Sequence, residues 1–125
     1  MNLNEMKVLI SDDSILARKQ IHDVLVSLGC TIFFEADNGQ RAVELFKEHQ
    51  PDLVFLDIVM PKLDGIAVIK QIFEFDPTAY IVMLSSVGTK SQLKSAIESG
   101  AKDFVQKPFS ISQIEAIVNA RIEGR

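Results

Sequence analysis

The chain has 125 residues, enough for one domain of common size and too few for two ordinary ones. Hydrophobic residues make up 47% of it and the net charge is −4, which favours a packed core and disfavours a nucleic-acid-binding face, usually basic. The apolar runs are strand-sized and the N-terminus lacks a signal-peptide core, so we expect no membrane span and a cytoplasmic location.

The domain is expected to cover residues 1–121. The last four residues, 122–125, read IEGR, a protease recognition sequence used in engineered fusions, and we interpret them as a possible remnant of one. That interpretation leaves open that the domain was taken from a longer protein.

Strand-like and helix-like segments alternate along the whole chain. The predicted strands are Lys7–Ser11, 31–36, 53–56, 79–84 and 102–106, and the predicted helices are 14–28, Gly39–His49, 66–73, 89–99 and a last helix that Ser110 can cap. In the last two helices, the residues expected to face inward are Leu93, Ala96, Ile97, Ile111, Ile114, Ile117 and Val118. Strands without in/out alternation are typical of a parallel sheet covered on both faces. The pattern therefore predicts a doubly wound (βα)5, flavodoxin-like three-layer α/β sandwich around a five-stranded parallel sheet.

Polar residues follow the predicted strands at the edge where such folds build their sites. Asp12 and Asp13 follow the first strand, Asp57 the third, Ser85 the fourth and Lys107 the fifth. Three carboxylates brought together need protons or a cation, and oxygen ligands without His or Cys favour Mg²⁺ or Mn²⁺. Asp13 and Asp57 are the best direct ligands, with Asp12 acting through water.

A carboxylate can also be a nucleophile that forms an aspartyl-phosphate. We expect Asp57 to accept the phosphoryl group, while Lys107 pairs with one of its oxygens and the Ser85 hydroxyl donates to another. Each residue also has a structural interpretation: the acid pair could cap a helix, Asp57 could be a turn residue and Lys107 a surface lysine. Asp64–Gly65 is interpreted as a turn only.

The motifs ISDDS, VFLDIVMPKLDG, IVMLSS and DFVQKPF together make the chain resemble the receiver domain of two-component response regulators, from about Lys7 to the final helix. The resemblance implies phosphorylation of Asp57 by a histidine kinase, and Mg²⁺ held by Asp13, Asp57 and the backbone carbonyl of Val59 with Asp12 in support. It implies that Ser85 and Lys107 contact the phosphoryl group and that the Lys107–Pro108 peptide is cis.

The resemblance also implies a switch that links the phosphoryl group to an output face on the fourth helix, fifth strand and fifth helix. Its positions here are Ser85 and Phe104, where the family often has Tyr; a buried Phe104 could still switch or could be core. Val59 and Val87 flank the path of the hydrolytic water and cannot orient it, so we predict slow autodephosphorylation and no enzymatic turnover beyond the domain's own phosphorylation.

The stretches EADNGQRAVELF and AIESGAKDFVQKPF lean toward the single-domain chemotaxis (CheY-like) type. That type implies a downstream protein target such as the flagellar motor switch, no direct nucleic-acid contact, and a monomer or a weak phosphorylation-dependent dimer. The alternatives are a receiver cut from a multidomain, for example DNA-binding, regulator and a phosphorelay intermediate. Three other classes fit the sequence less well. An aspartyl-phosphate phosphatase usually has a second acid at the position of Val59, and a flavodoxin has a phosphate-binding loop where this chain has DDSILAR. A degenerate receiver that serves only as a scaffold would lack one of the acids or the lysine, and all of them are present here.

Overall fold

The computed structural model describes residues 1–86 and 90–124, with the backbone alone at Lys90. Its strands are β1 (Lys7–Ser11), β2 (Ile32–Ala36), β3 (Leu53–Asp57), β4 (Ile81–Ser85) and β5 (Asp103–Gln106). Its helices are α1 (Ile15–Leu28), α2 (Gly39–His49), α3 (Gly65–Phe75), α4 (Lys90–Glu98) and α5 (Ile111–Ile122), and a short 3₁₀ turn at Leu3–Glu5 precedes β1. None of the helices in this part of the chain is long and apolar enough to cross a membrane.

The five strands form one parallel sheet in the order β2-β1-β3-β4-β5. β1 and β3 are therefore neighbours in the centre, and the chain winds outward from them in both directions. This is the predicted doubly wound (βα)5 sandwich, and the fold prediction is confirmed.

Two hydrophobic layers hold the helices against the sheet. One lies under α2, α3 and α4 and contains Phe46, Leu56 and Ile69; the other lies under α1 and α5 and contains Ile21, Phe55 and Ile114. Alternate residues of each central strand enter opposite layers, which explains why β3 and β4 are apolar at nearly every position.

Side-chain caps set several helix starts. Ser14, Asn38 and Asp64 each accept a hydrogen bond from a backbone amide three residues ahead, at the starts of α1, α2 and α3. Gly29 ends α1 in the left-handed conformation, with φ 115°, as the sequence predicts. Ser110 occupies the N-cap position of α5, but its side chain makes no capping bond to the described backbone amides.

Two of the apolar residues expected to face inward do not. Ile97 on α4 is 41% exposed and Ile111 at the start of α5 is 64% exposed. Neighbouring elements cover only part of the apolar side of each helix, and these two residues lie outside the covered part. β4 begins at Ile81, two residues after its predicted start, and the predicted start of the fourth helix at Thr89 lies outside the described residues. α5 continues through Ile122, whose partly buried side chain packs against the α1/α5 layer.

Candidate functional site at the carboxyl edge of the sheet

The candidate site lies where β1 and β3 end side by side. The strand order reverses at this pair, and the crevice outside such a switch point is where doubly wound folds bind ligands. Asp12 and Asp13 leave β1 there and Asp57 is the last residue of β3. One carboxylate oxygen from each of these residues lies within 4.8 Å of the others.

Asp12 is completely buried and held on several sides. Its amide donates to the Ala36 carbonyl at 3.0 Å, which extends the β1–β2 ladder by one residue. Its Oδ1 accepts from the Ser14 amide at 2.9 Å, and Oδ2 lies 2.7 Å from Lys107 Nζ without accepting a directed hydrogen bond from the described residues. The N-cap of α1 is Ser14, so capping of this helix does not explain the presence of Asp12 and Asp13. The exposed Asp13 lies in the acid cluster instead.

Asp57 is 8% exposed and has two fixed contacts. Its Oδ1 accepts from the Val59 amide at 3.2 Å and its Oδ2 from Lys107 Nζ at 3.3 Å. Burial and the neighbouring charge of Asp12 raise the pKa of Asp57 to about 6, against the lowering effects of Lys107 and the Val59 amide. The carboxylate is therefore ionised at neutral pH at a cost in stability, which a bound cation would offset.

Lys107 follows β5 and contacts two of the three acids. Burial alone would lower the pKa of Lys107, but its close contact with Asp12 and the negative charges of Asp57 and Asp12 outweigh burial and raise it. The Lys107–Pro108 peptide is cis, as the resemblance implied. The Lys107 amide donates to the Ser85 carbonyl at 2.8 Å, so the two residues are joined at the ends of neighbouring strands.

Ser85 is buried at the end of β4. Asp57 pairs with Leu84 in the strand register, which sets Ser85 one residue beyond the phosphoacceptor candidate at the same edge. The predicted acids Asp12, Asp13 and Asp57 are thus brought within 4.8 Å of one another. Lys107 contacts Asp12 and Asp57, and Ser85 lies at the end of the neighbouring strand.

The chemistry of the cluster fits a hard divalent cation. Three carboxylates face one ammonium group, which leaves two negative charges uncompensated. Ligand oxygens around Mg²⁺ lie at most about 4.2 Å apart in an octahedron with bonds of about 2.1 Å, so the 4.8 Å cluster needs little closure, and waters can complete the shell. The buried Asp12 Oδ2 lies 2.7 Å from Lys107 Nζ and accepts no directed hydrogen bond from the described residues, so it remains a further oxygen acceptor in the cluster.

The interpretation of Phe104 as a buried residue is wrong for this structure. Phe104 is 46% exposed, because its side chain lies on the α4 face of β5 and is only partly covered there, whereas Val105 on the opposite face is buried. A groove of about 400 Å³ lies beside its ring and is lined by Ser85, Ser86, Leu93, Phe104 and Gln106.

Sequence reasoning missed the part that two glycines play in positioning the loop after β3. A Cβ on Gly65 would meet the Asp57 carbonyl oxygen at 2.7 Å and the Ile58 backbone at 2.8 Å, so α3 can start against the end of β3 only with glycine there. A Cβ on Gly39 would collide with the Leu63 carbonyl oxygen. The signal for Gly65 was the Asp64–Gly65 pair itself, since glycine is a poor choice for a first helical turn unless the backbone must come close.

Val59, the predicted source of a backbone ligand, lies in that loop. Its amide donates a hydrogen bond to Asp57 Oδ1, and its side chain, which lies beside the cluster, is 55% exposed. The role of its carbonyl stays a prediction, and Val87, the other residue expected to flank the water path, lies outside the described residues.

Comparisons with known proteins agree with this geometry. The family model for the response regulator receiver domain matches residues 8–119. The chain is 45% identical to the chemotaxis protein CheY of Bacillus subtilis and 42% identical to that of Thermotoga maritima, in each case over 90% of this chain and 94% of the relative. A solved complex of CheX, CheY, BeF3 and Mg²⁺ from Borrelia burgdorferi contains a chain that is 37% identical, with a TM-score of 0.86 over 94% of this chain and 89% of that one. The chain therefore belongs to the response regulator receiver family and is CheY-like within it.

Proposed function

We propose that this chain is a signalling switch that accepts a phosphoryl group on Asp57 from a histidine kinase in a Mg²⁺-dependent reaction. The observation that carries the proposal is the buried Asp57 carboxylate with Asp12, Asp13 and the Lys107 ammonium group around it at the switch point of the sheet. Receiver domains are signalling switches, and the role we assign to Asp57 is storage of a signal between kinase and target.

In the proposed transfer, an Asp57 carboxylate oxygen attacks the phosphorus atom of a phosphohistidine. The P–N bond breaks, the acyl-phosphate forms, and the leaving imidazole takes a proton from solution. Lys107 is within reach of an Asp57 oxygen at 3.3 Å, so its ammonium group pairs with the charge gathering on the phosphoryl oxygens, and the Ser85 hydroxyl donates to one of them.

Mg²⁺ would be held by Asp13, Asp57 and the Val59 carbonyl, with Asp12 through water, and when bound it supplies charge neutralisation for the phosphoryl oxygens. The same oxygen donors suit Mn²⁺, which we expect to substitute.

The proposed output runs from Ser85 to the α4-β5-α5 face. When the Ser85 hydroxyl moves toward the phosphoryl group, the space beside it opens, and the exposed Phe104 ring turns into the groove that both residues line. The exposed apolar area on that face then falls, which changes the binding of a downstream protein. Phe104 has no hydroxyl, so this switch works through packing and not through a tyrosine hydrogen bond.

An apolar rim around the acid cluster supports a protein phosphodonor. The four most exposed large apolar side chains of the described residues all lie at this edge of the sheet: Ile15 at 75%, Leu16 at 65%, Ile111 at 64% and Val59 at 55%. They occupy the starts of α1 and α5 and the loop after β3, so a partner whose histidine reaches Asp57 would cover them.

Substitution in that rim separates a protein donor from a small one. Ile15→Ser should slow phosphotransfer from an autophosphorylated histidine kinase several-fold and leave the rate with phosphoramidate unchanged. Val26→Ser is the matched control, because Val26 is 49% exposed on the same helix but at the other end of it. Equal effects of the two substitutions would contradict docking at the rim.

A chemotaxis role is the proposed context, because the named relatives are chemotaxis proteins that match the chain along nearly their whole length. The downstream target would then be a protein such as the flagellar motor switch, reached in the cytoplasm, with this chain a monomer or a weak dimer after phosphorylation and without direct nucleic-acid contact. The alternative is a receiver that serves a phosphorelay or a longer multidomain regulator. Loss of directed motility on deletion of the gene would support the first, and an altered transcription profile with normal motility the second.

Beryllofluoride, a stable substitute for the phosphoryl group, tests the site itself. With Mg²⁺ present, it should bind one equivalent to the wild type, give a bound ¹⁹F signal, and shift the backbone resonances of Phe104 and Gln106. Asp57→Asn should abolish both effects. A bound signal in Asp57→Asn, or none in the wild type, would contradict the proposed function.

A further inference from the structure

Arg18 contacts the backbone of the acid pair from outside the cluster. It lies on α1 with a side chain that is only 16% exposed, and its Nη1 donates to the carbonyl oxygen of Asp12 at 2.7 Å. Its Nε donates to Glu35 Oε1 on β2 at 3.1 Å, which orients the guanidinium plane. Both bonds are charge-assisted, and the fork geometry of arginine lets one side chain make them together.

The bond to the Asp12 carbonyl has a geometric consequence for Asp13. The peptide group between the two residues is planar, so fixing the Asp12 oxygen fixes the Asp13 amide and Cα as well. The Asp12 amide is already held by the Ala36 carbonyl. Asp13, whose own side chain is exposed, therefore depends on this peptide plane for the direction of its carboxylate.

We infer that Arg18 is a positioning residue for the divalent-cation site and that Glu35 acts through it. Arg18 sets the Asp12–Asp13 peptide so that the Asp13 carboxylate meets those of Asp12 and Asp57 within the 4.8 Å cluster. The inference rests on the proposed function, because it concerns the cation that the acids would hold.

The sign of the effect separates positioning from simple electrostatics. A positive charge beside a cation site repels the cation, so removing that charge alone would tighten Mg²⁺ binding. Loss of a residue that orients a metal-ligating side chain weakens metal binding, and removal of such a residue typically lowers metal affinity by roughly ten-fold or more. The two explanations for an Arg18 substitution thus predict opposite changes in affinity.

The test is the affinity of the purified full chain for Mg²⁺, measured by calorimetry, together with the rate of phosphorylation by acetyl phosphate as a function of Mg²⁺ concentration. Arg18→Met keeps the length of the side chain and should weaken Mg²⁺ binding roughly ten-fold, with a near-normal maximal rate at saturating Mg²⁺. Arg18→Lys, which cannot make both contacts, should fall between, and Glu35→Gln, which keeps an acceptor, should change the affinity less than about two-fold.

Lys19→Met is the matched control, because Lys19 is the next residue of α1 and its side chain is 67% exposed and paired with Asp23. It should leave Mg²⁺ affinity unchanged or slightly tighter. Unchanged or tighter binding in Arg18→Met would overturn the inference while the cation site stands. A maximal rate that stays low at saturating Mg²⁺ would also overturn it, since general structural damage would then explain the loss. A wild type that binds no Mg²⁺ would overturn the proposed site and this inference together.

Discussion

The buried carboxylate of Asp57 is expected to lower the stability of the cation-free protein at neutral pH, and Asp57→Asn should relieve that cost. Its pKa is raised from 3.8 to about 6, chiefly by burial and by the Asp12 charge. At about 1.4 kcal/mol for each pKa unit, this shift corresponds to a loss of about 3 kcal/mol in the free energy of unfolding when Asp57 is ionised. The substitution also removes one partner of Lys107, which keeps its 2.7 Å contact with Asp12, so we expect a net gain of about 1–3 kcal/mol.

The stability difference between Asp57→Asn and the wild type should depend on pH. The folded-state pKa lies above the unfolded one, so the contribution of Asp57 to stability is fully present below about pH 4 and is lost as the pH rises through about 6. The advantage of Asp57→Asn in urea unfolding should therefore be largest at pH 7.5 and shrink toward zero near pH 4, with EDTA present throughout.

A second aspartate serves as the control for the amide substitution. Asp76 is only partly buried, and hydrogen bonds from the Thr78 hydroxyl and amide lower its pKa, so Asp76→Asn should leave stability unchanged or reduce it at pH 7.5. A stability gain for Asp57→Asn that is equal at pH 4 and pH 7.5, or no gain at either, would refute the electrostatic account of this site.

Other substitutions test single features of the structure. Gly65→Ala should destabilise the fold by about 1–3 kcal/mol in urea unfolding and weaken Mg²⁺ binding, because the added methyl group meets the backbone at Asp57; full retention of both would contradict the close approach. Ser11→Ala should raise the free energy of unfolding by about 1 kcal/mol, because the buried Ser11 hydroxyl has no hydrogen-bond partner among the described residues, and a loss of stability would count against this. Val59→Asn combined with Val87→Glu should speed loss of phosphate severalfold, measured by the decay of the phosphorylated mass, since polar side chains can orient the hydrolytic water; an unchanged decay would remove the reason for expecting a long-lived signal.

The sequence predicted the parts of the fold that depend on local pattern. The α2 helix runs from Gly39 to His49 as its apolar spacing and the following Pro51 indicated, and the acids at the ends of β1 and β3 meet because parallel strands present their carboxyl ends at one edge. The contacts of Asp12, Asp57 and Lys107 follow from that topology.

The rest depends on three-dimensional neighbours that periodicity does not contain. Ile111 has the spacing of a core residue but is the first residue of α5, where neighbouring elements leave it uncovered, so it is exposed. Phe104 is exposed because the α4 face of β5 is only partly covered. The bond from Arg18 to the Asp12 carbonyl joins a side chain to a backbone atom, and no spacing rule in the sequence marks such a pair.

The central claim, that Asp57 accepts a phosphoryl group with the help of a divalent cation, is tested most directly by intact-mass spectrometry. The wild type incubated with acetyl phosphate and Mg²⁺ should gain the mass of one phosphoryl group, and fragmentation should assign it to Asp57. The gain should be lost with EDTA and in Asp57→Asn. A gain of the same size in Asp57→Asn, or in EDTA, would contradict the account.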